Sequence, residues 1–171
     1  MAIQFIMPGK VIMGERALDE AAGLLKELGT KALIVTDRVM AELGNVKILE
    51  EVLEREGLQY TVYDGVFGEP TDHMVEAGTG LYKTAGCDFL IALGGGSALD
   101  TMKAIAALAV LGGKITDMMG KEIKADIAPM VAIPTTAGTG SEATQFTIIT
   151  AQEHDVKMLP KGADNMQSVA A

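Results

Sequence analysis

The chain has 171 residues, enough for one domain with a buried core, and its 49% hydrophobic and 22% charged content describes a folded protein rather than a disordered one. A net charge of −9 with no Lys/Arg run excludes nucleic acid as a partner, since counterion-release binding needs clustered cations. Aromatics are only 4% and Trp is absent, so the interior must be built from Val, Ile, Leu, Met and Ala, which suits helices packed on a parallel sheet.

In chain order, the apolar pieces Ile3–Met7 and Lys10–Met13 flank the turn signal Pro8-Gly9 and predict an N-terminal β-hairpin. Residues 15–28 space Leu18, Ala21/Ala22, Leu25 and Leu28 as a helix that stops at Gly29. Lys31–Thr36 reads as a buried strand. Val46–Arg55 reads as a helix with Ile48, Leu49, Val52 and Leu53 inward, and Gln59–Tyr63 as the next strand. A helix over Thr71–Ala85 opens after Pro70. A strand over Phe89–Leu93 then leads into a helix with Leu99, Met102, Ile105/Ala106 and Ala109 on one face. A strand over Met130–Ile133 and a β-rich piece over Gln145–Thr150 follow. Strands alternating with helices predict an α/β fold: a doubly wound, mostly parallel sheet with helices on both faces. The longest apolar run, Ala104–Leu111, is far too short for a membrane span, and no basic-then-apolar leader opens the chain. Cys87 stands alone and can form no internal disulfide. The expectation is a soluble, cytoplasmic protein with no membrane partner.

Two segments carry the chemistry. In the first, the run Phe89–Leu93 ends in Gly94-Gly95-Gly96, followed by Ser97 as a helix N-cap and Asp100 three residues on in a capping-box-like spacing. Glycines let a ligand approach the main chain, and the free N–H groups of a first helical turn favour an anion, so a phosphate or pyrophosphate is the expected guest. A tight strand-to-helix turn with a good cap and no ligand is the other reading. In the second, Pro134-Thr135-Thr136-Ala137-Gly138-Thr139-Gly140-Ser141-Glu142-Ala143-Thr144 follows another apolar run and packs hydroxyls and glycines into one loop. Such hydroxyls donate to phosphate, ribose or carboxamide oxygens without adding charge. Asp37 ends the strand Leu33–Thr36. With the Gly94 turn and the Thr135 loop, it falls at a strand's carboxyl end, where open α/β sheets bind ligands.

Together these segments resemble the iron-containing (group III) alcohol dehydrogenases, on Gly94-Gly95-Gly96-Ser97-x-x-Asp100 followed by Pro134-Thr135-Thr136-x-Gly138-Thr139-Gly140-Ser141-Glu142. The related glycerol dehydrogenases and dehydroquinate synthases share the glycine turn and aspartate but lack the second run. The likeness spans about Ile3 to Met158. It implies a dinucleotide-binding domain over residues 1–158, with residues 159–171 as a tail that no longer follows the family. The implied cofactor is NAD, held by Asp37, Gly94, Gly95, Gly96, Ser97, Asp100, Thr135, Thr136, Thr139, Ser141 and Lys157. Asp37 would lie near the adenosine ribose and repel the 2′-phosphate of NADP; a turn or N-cap role is its alternative. Asp100 is expected to cap its helix and could also touch the nicotinamide end, and Lys157 would lie near the nicotinamide ribose, or else be a solvated surface lysine.

The chain departs from that pattern in places. Glu69 stands where the family often has Asn, and Ala98 where many members have Pro. The family's second, all-helical domain gives one aspartate and three histidines to Fe²⁺ or Zn²⁺, which polarises the alcohol oxygen. Only His73 and His154 occur here, and both read as surface residues, so the metal ligands and catalytic centre are not expected in this sequence. The expectation is therefore the NAD-binding domain of a metal-dependent alcohol dehydrogenase, interconverting a primary alcohol or diol and its aldehyde. Alone it would be a poor catalyst, the product of a truncated gene, an engineered fragment or one half of a split enzyme. A separate helical-domain protein is then an implied partner, and association into a homo-oligomer through the N-terminal strands is expected. The alternative is a non-catalytic nucleotide-binding module.

Overall fold

The structure is a computed structural model that describes residues 8–118, 123, 125–152 and, for the backbone alone, 156–158. Its centre is a four-stranded sheet of β1 (Lys31–Asp37), β2 (Gln59–Val66), β3 (Phe89–Gly94) and β4 (Met130–Pro134) in the order β2-β1-β3-β4. All three pairings are parallel. Five helices accompany them: α1 (Ala17–Leu28), α2 (Arg38–Glu42), α3 (Asn45–Arg55), α4 (Asp72–Ala85) and α5 (Gly96–Leu111). A short antiparallel pair, β5 (Ile149–Ala151) and β6 (Val156–Met158), lies outside this sheet.

The two central strands are buried, β3 throughout and β1 between its half-buried end residues Lys31 and Asp37, as parallel strands covered on both sides must be. Alternation then divides their side chains. Leu33, Val35, Leu90, Ala92, Met130 and Ala132 face a core built with Val75 of α4 and with Leu99, Met102 and Ile105 of α5. Ala32, Ile34, Phe89, Ile91, Leu93 and Val131 face the opposite core, with Ala21 and Leu25 of α1 and Val46, Leu49 and Leu53 of α3. The sheet is thus doubly wound. Its topological switch lies between β1, whose chain moves out to β2, and β3, whose chain moves the other way to β4.

The expected elements form with small shifts of their ends, and several readings need correction. Ile48, expected inward on α3, is exposed, and Val46 takes its place beside Leu49, Val52 and Leu53 in the buried face. Helix α5 is not apolar on one face: residues 98–108 are all buried, because α4 and the sheet cover it on two sides. The five-residue α2 and a 3-10 turn over Ile115–Met118 were too short to show a period. Within 145–150 only the end is strand. The first strand of the predicted N-terminal hairpin, the turn around His154 and the tail 159–171 lie outside the described residues, and Lys10–Met13 carries no strand.

Candidate functional site

Three strand ends meet at one rim. The carboxylate of Asp37, at the end of β1, accepts the Met40 amide at 2.9 Å and so caps α2, the alternative role foreseen for it. One oxygen is thereby engaged. The other lies 3.5 Å from where a side chain on Gly94 would begin, so it faces the glycine turn. Gly94 has φ 153°, which side chains rarely adopt, and its carbonyl accepts the Thr135 amide at 2.9 Å. That bond ties the start of the hydroxyl-rich loop to the glycine turn. Thr36 reinforces it, donating from Oγ1 to the Leu93 carbonyl at 2.7 Å.

The glycines are there for space. A Cβ on Gly95 would sit 3.2 Å from Thr136 Oγ1, and one on Gly96 would sit 3.0 Å from Thr139 Cγ2 and 3.2 Å from Ser141 Oγ. Helix α5 starts at Gly96 with Gly95 as an extended N-cap that offers no side chain. Ser97 is therefore not the cap. It lies in the first turn, where amides have no intrahelical carbonyl to reach.

Asp100 does not cap the helix either. It lies five residues in from the cap, buried, and accepts the Ile148 amide at 3.2 Å and Lys103 Nζ at 3.3 Å. Lys103, which the sequence reading passed over, is also buried and donates to Thr144 Oγ1 at 3.0 Å and to the Phe146 carbonyl at 2.9 Å. Burial lowers the Lys103 pKa below the usual lysine value, and the nearby Asp100 and Glu142 charges oppose that shift. The signal for this pair was in the sequence: opposite charges three residues apart inside an otherwise apolar helix must bury together. Their effect is to pin residues 144–148 against α5, with Thr147 Oγ1 adding a 2.7 Å bond to the Asp100 carbonyl.

Two clefts open beside the start of α5. One of about 770 Å³ runs from Asp37, Val39 and Phe67 to Gly95, Gly96 and Ser97, with Thr135 and Thr136 on its border. The second, about 600 Å³, is lined by Gly96, Ser97, Asp100, Thr139, Ser141 and Phe146, among others. They share Gly96 and Ser97. Ten of the eleven expected site residues are thus brought to one rim. Lys157 pairs its backbone with Thr150, while its side chain lies outside the described part. Glu69 borders the second cleft, where Thr150 Oγ1 reaches it at 3.5 Å.

The described residues do not fit a metal centre. His73 is exposed on α4, and among the described residues no three His, Cys, Asp or Glu side chains come together to hold an ion. Cys87 is buried, and burial pushes its thiol pKa up, away from a nucleophile's range.

The model of the family described as iron-containing alcohol dehydrogenase matches residues 8–171. The NAD-dependent methanol dehydrogenase of Bacillus methanolicus is 38% identical over 156 residues, covering 90% of this chain and 41% of that protein. A solved 1,3-propanediol oxidoreductase superposes with a TM-score of 0.94 at 29% identity, over 99% of this chain and 45% of that one. The sulfoacetaldehyde reductase of Bifidobacterium kashiwanohense, solved in complex with NAD⁺, superposes with a TM-score of 0.87 at 28% identity, over 99% and 46%. The chain spans less than half the length of these relatives. A matching family model over nearly the whole sequence, on a doubly wound sheet with this rim, places the chain among the iron-containing alcohol dehydrogenases.

Proposed function

We propose that residues 1–158 are the NAD-binding part of a metal-dependent alcohol dehydrogenase that interconverts a primary alcohol or diol and its aldehyde. The observation that carries this reading is the pair of clefts meeting at Gly96 and Ser97. A dinucleotide is two nucleosides joined through a pyrophosphate, and this rim offers two cavities joined at a helix N-terminus. The pyrophosphate would lie over Gly95, Gly96 and Ser97, with hydroxyls of Thr136, Thr139 and Ser141 close by. Adenosine would take the cleft of Asp37, whose free oxygen accepts from a ribose hydroxyl and disfavours a 2′-phosphate. The nicotinamide half would take the cleft of Asp100, near the Lys157 strand. When bound, the nicotinamide supplies the hydride acceptor. The chain's own residues hold and orient it.

The second reading is a nucleotide-binding module without chemistry of its own, favoured by the lack of a metal-binding set among the described residues. Calorimetry with NAD and NADP tests the shared premise. Alcohol oxidation with added Fe²⁺ or Zn²⁺, with and without a separately supplied helical domain of the family, separates the two. Turnover that appears with the helical domain supports the dehydrogenase reading. NAD binding with no turnover in any mixture supports the module, and failure to bind either dinucleotide refutes both.

A further inference from the structure

Phe67 follows directly on β2, whose last residue, Val66, pairs with Asp37 at the end of β1. A phenyl side chain at a strand end is ordinarily drawn into a core. This one is 74% exposed and belongs to neither hydrophobic cluster. Val39, in the first turn of α2, is 57% exposed and equally outside both clusters. Both line the 770 Å³ cleft that also contains Asp37 and the glycine turn. Two large apolar side chains left in solvent within one cleft mark a surface that an apolar guest would cover.

The strand order says which guest. Phosphate-binding features lie at the end of β3, at Gly95, Gly96 and Ser97, and the free Asp37 oxygen lies at the end of β1. Phe67 lies one strand further out, at the end of β2. Adjacent strands stand about 4.8 Å apart, so β3, β1 and β2 set out phosphate, ribose and base positions at successive steps across the rim. We propose that Phe67, supported by Val39, is the platform on which the purine ring of a bound adenine nucleotide stacks. Here the ring's flat face, rather than any hydrogen-bonding group, holds the base. This deepens the dinucleotide reading and rests on it.

The test exploits the absence of Trp from the chain. Phe67→Trp places a single indole at the platform, and its emission is expected to be quenched by ADP and NAD but not by nicotinamide mononucleotide. In calorimetry, Phe67→Ala is expected to weaken ADP and NAD about tenfold, in the range of one base–aromatic stack, and Phe67→Tyr to restore them. Nicotinamide mononucleotide binding should not change in either variant. Phe67 is exposed and outside both cores, so these substitutions leave the fold intact, which far-UV circular dichroism of each variant verifies. ADP affinity unchanged in Phe67→Ala, or Phe67→Trp emission indifferent to saturating ADP while calorimetry registers its binding, would overturn the proposal. A wild-type chain that binds neither NAD nor ADP would instead refute the dinucleotide reading, and this assignment with it.

Discussion

Replacing Lys103 with Met keeps most of the side-chain volume and removes the charge at the centre of the α5 network. The Lys103 side chain is 5% exposed and that of Asp100 12%, so neither charge is screened well by water. In the variant, Asp100 keeps only the Ile148 amide as a donor, while Thr144 Oγ1 and the Phe146 carbonyl lose theirs. Removing one partner of a buried pair costs about 3–5 kcal/mol. The retained amide places this case near 3 kcal/mol, equivalent to a fall of roughly 6–12 °C in the melting midpoint of a domain this size. Urea unfolding followed by circular dichroism at neutral pH measures this, and a cycle with Asp100→Asn measures the coupling. Two single variants that each cost under about 1 kcal/mol and add without coupling would refute the argument.

Gly95→Val is expected to fold, because φ at Gly95 is −80°, yet to lose NAD binding, since a branched side chain would press on Thr136 Oγ1, already 3.2 Å from a Cβ; calorimetry on the folded variant checks it. The wild-type chain is expected to prefer NAD to NADP, and Asp37→Ser, which keeps an N-cap but loses the charge, to narrow that preference. The same narrowing should follow in wild type at 1 M salt, where the Debye length is about 3 Å, and equal affinities in wild type would refute the role given to Asp37. Gly78→Val is expected to destabilise by about 1–3 kcal/mol in thermal unfolding, because its side chain would overlap the fully buried Ile105 at the α4–α5 contact. Burial alone would raise the Asp88 carboxyl, but donors from Lys31 and Thr30 outweigh it and hold the group below its ordinary pKa. Its stabilisation is therefore present above the unfolded pKa and lost as pH falls through the folded one. Asp88→Asn should flatten the acid limb of the melting curve, and parallel curves would refute this.

How much could be read in the sequence depended on whether a residue's role was local. The central strands were legible because a strand covered on both faces must be apolar throughout, and Leu33–Val35 and Phe89–Leu93 can serve no other purpose. The strand ends followed from Gly94 and Asp37, and a doubly wound sheet brings such ends together. Asp100 shows the limit. Three residues after Ser97 it has the spacing of a cap, but the strand runs through Gly94, so the helix starts at Gly96 and places Asp100 in its second turn. There its partners come from Ile148 and Lys103, and the Ile148 contact, 48 residues away, has no local signature. The same reason hid the burial of α5. A helix apolar almost all round shows no preferred face, and its coverage is decided by α4 and the sheet rather than by its own period. Phe67 was hidden for the opposite reason. An apolar residue at a strand end looks like core, and only the packed fold shows that both cores close without it. The residues hardest to read are therefore those, such as Asp100 and Lys103, whose partners come from distant chain, whereas the glycine and hydroxyl positions of the rim carry their signal locally.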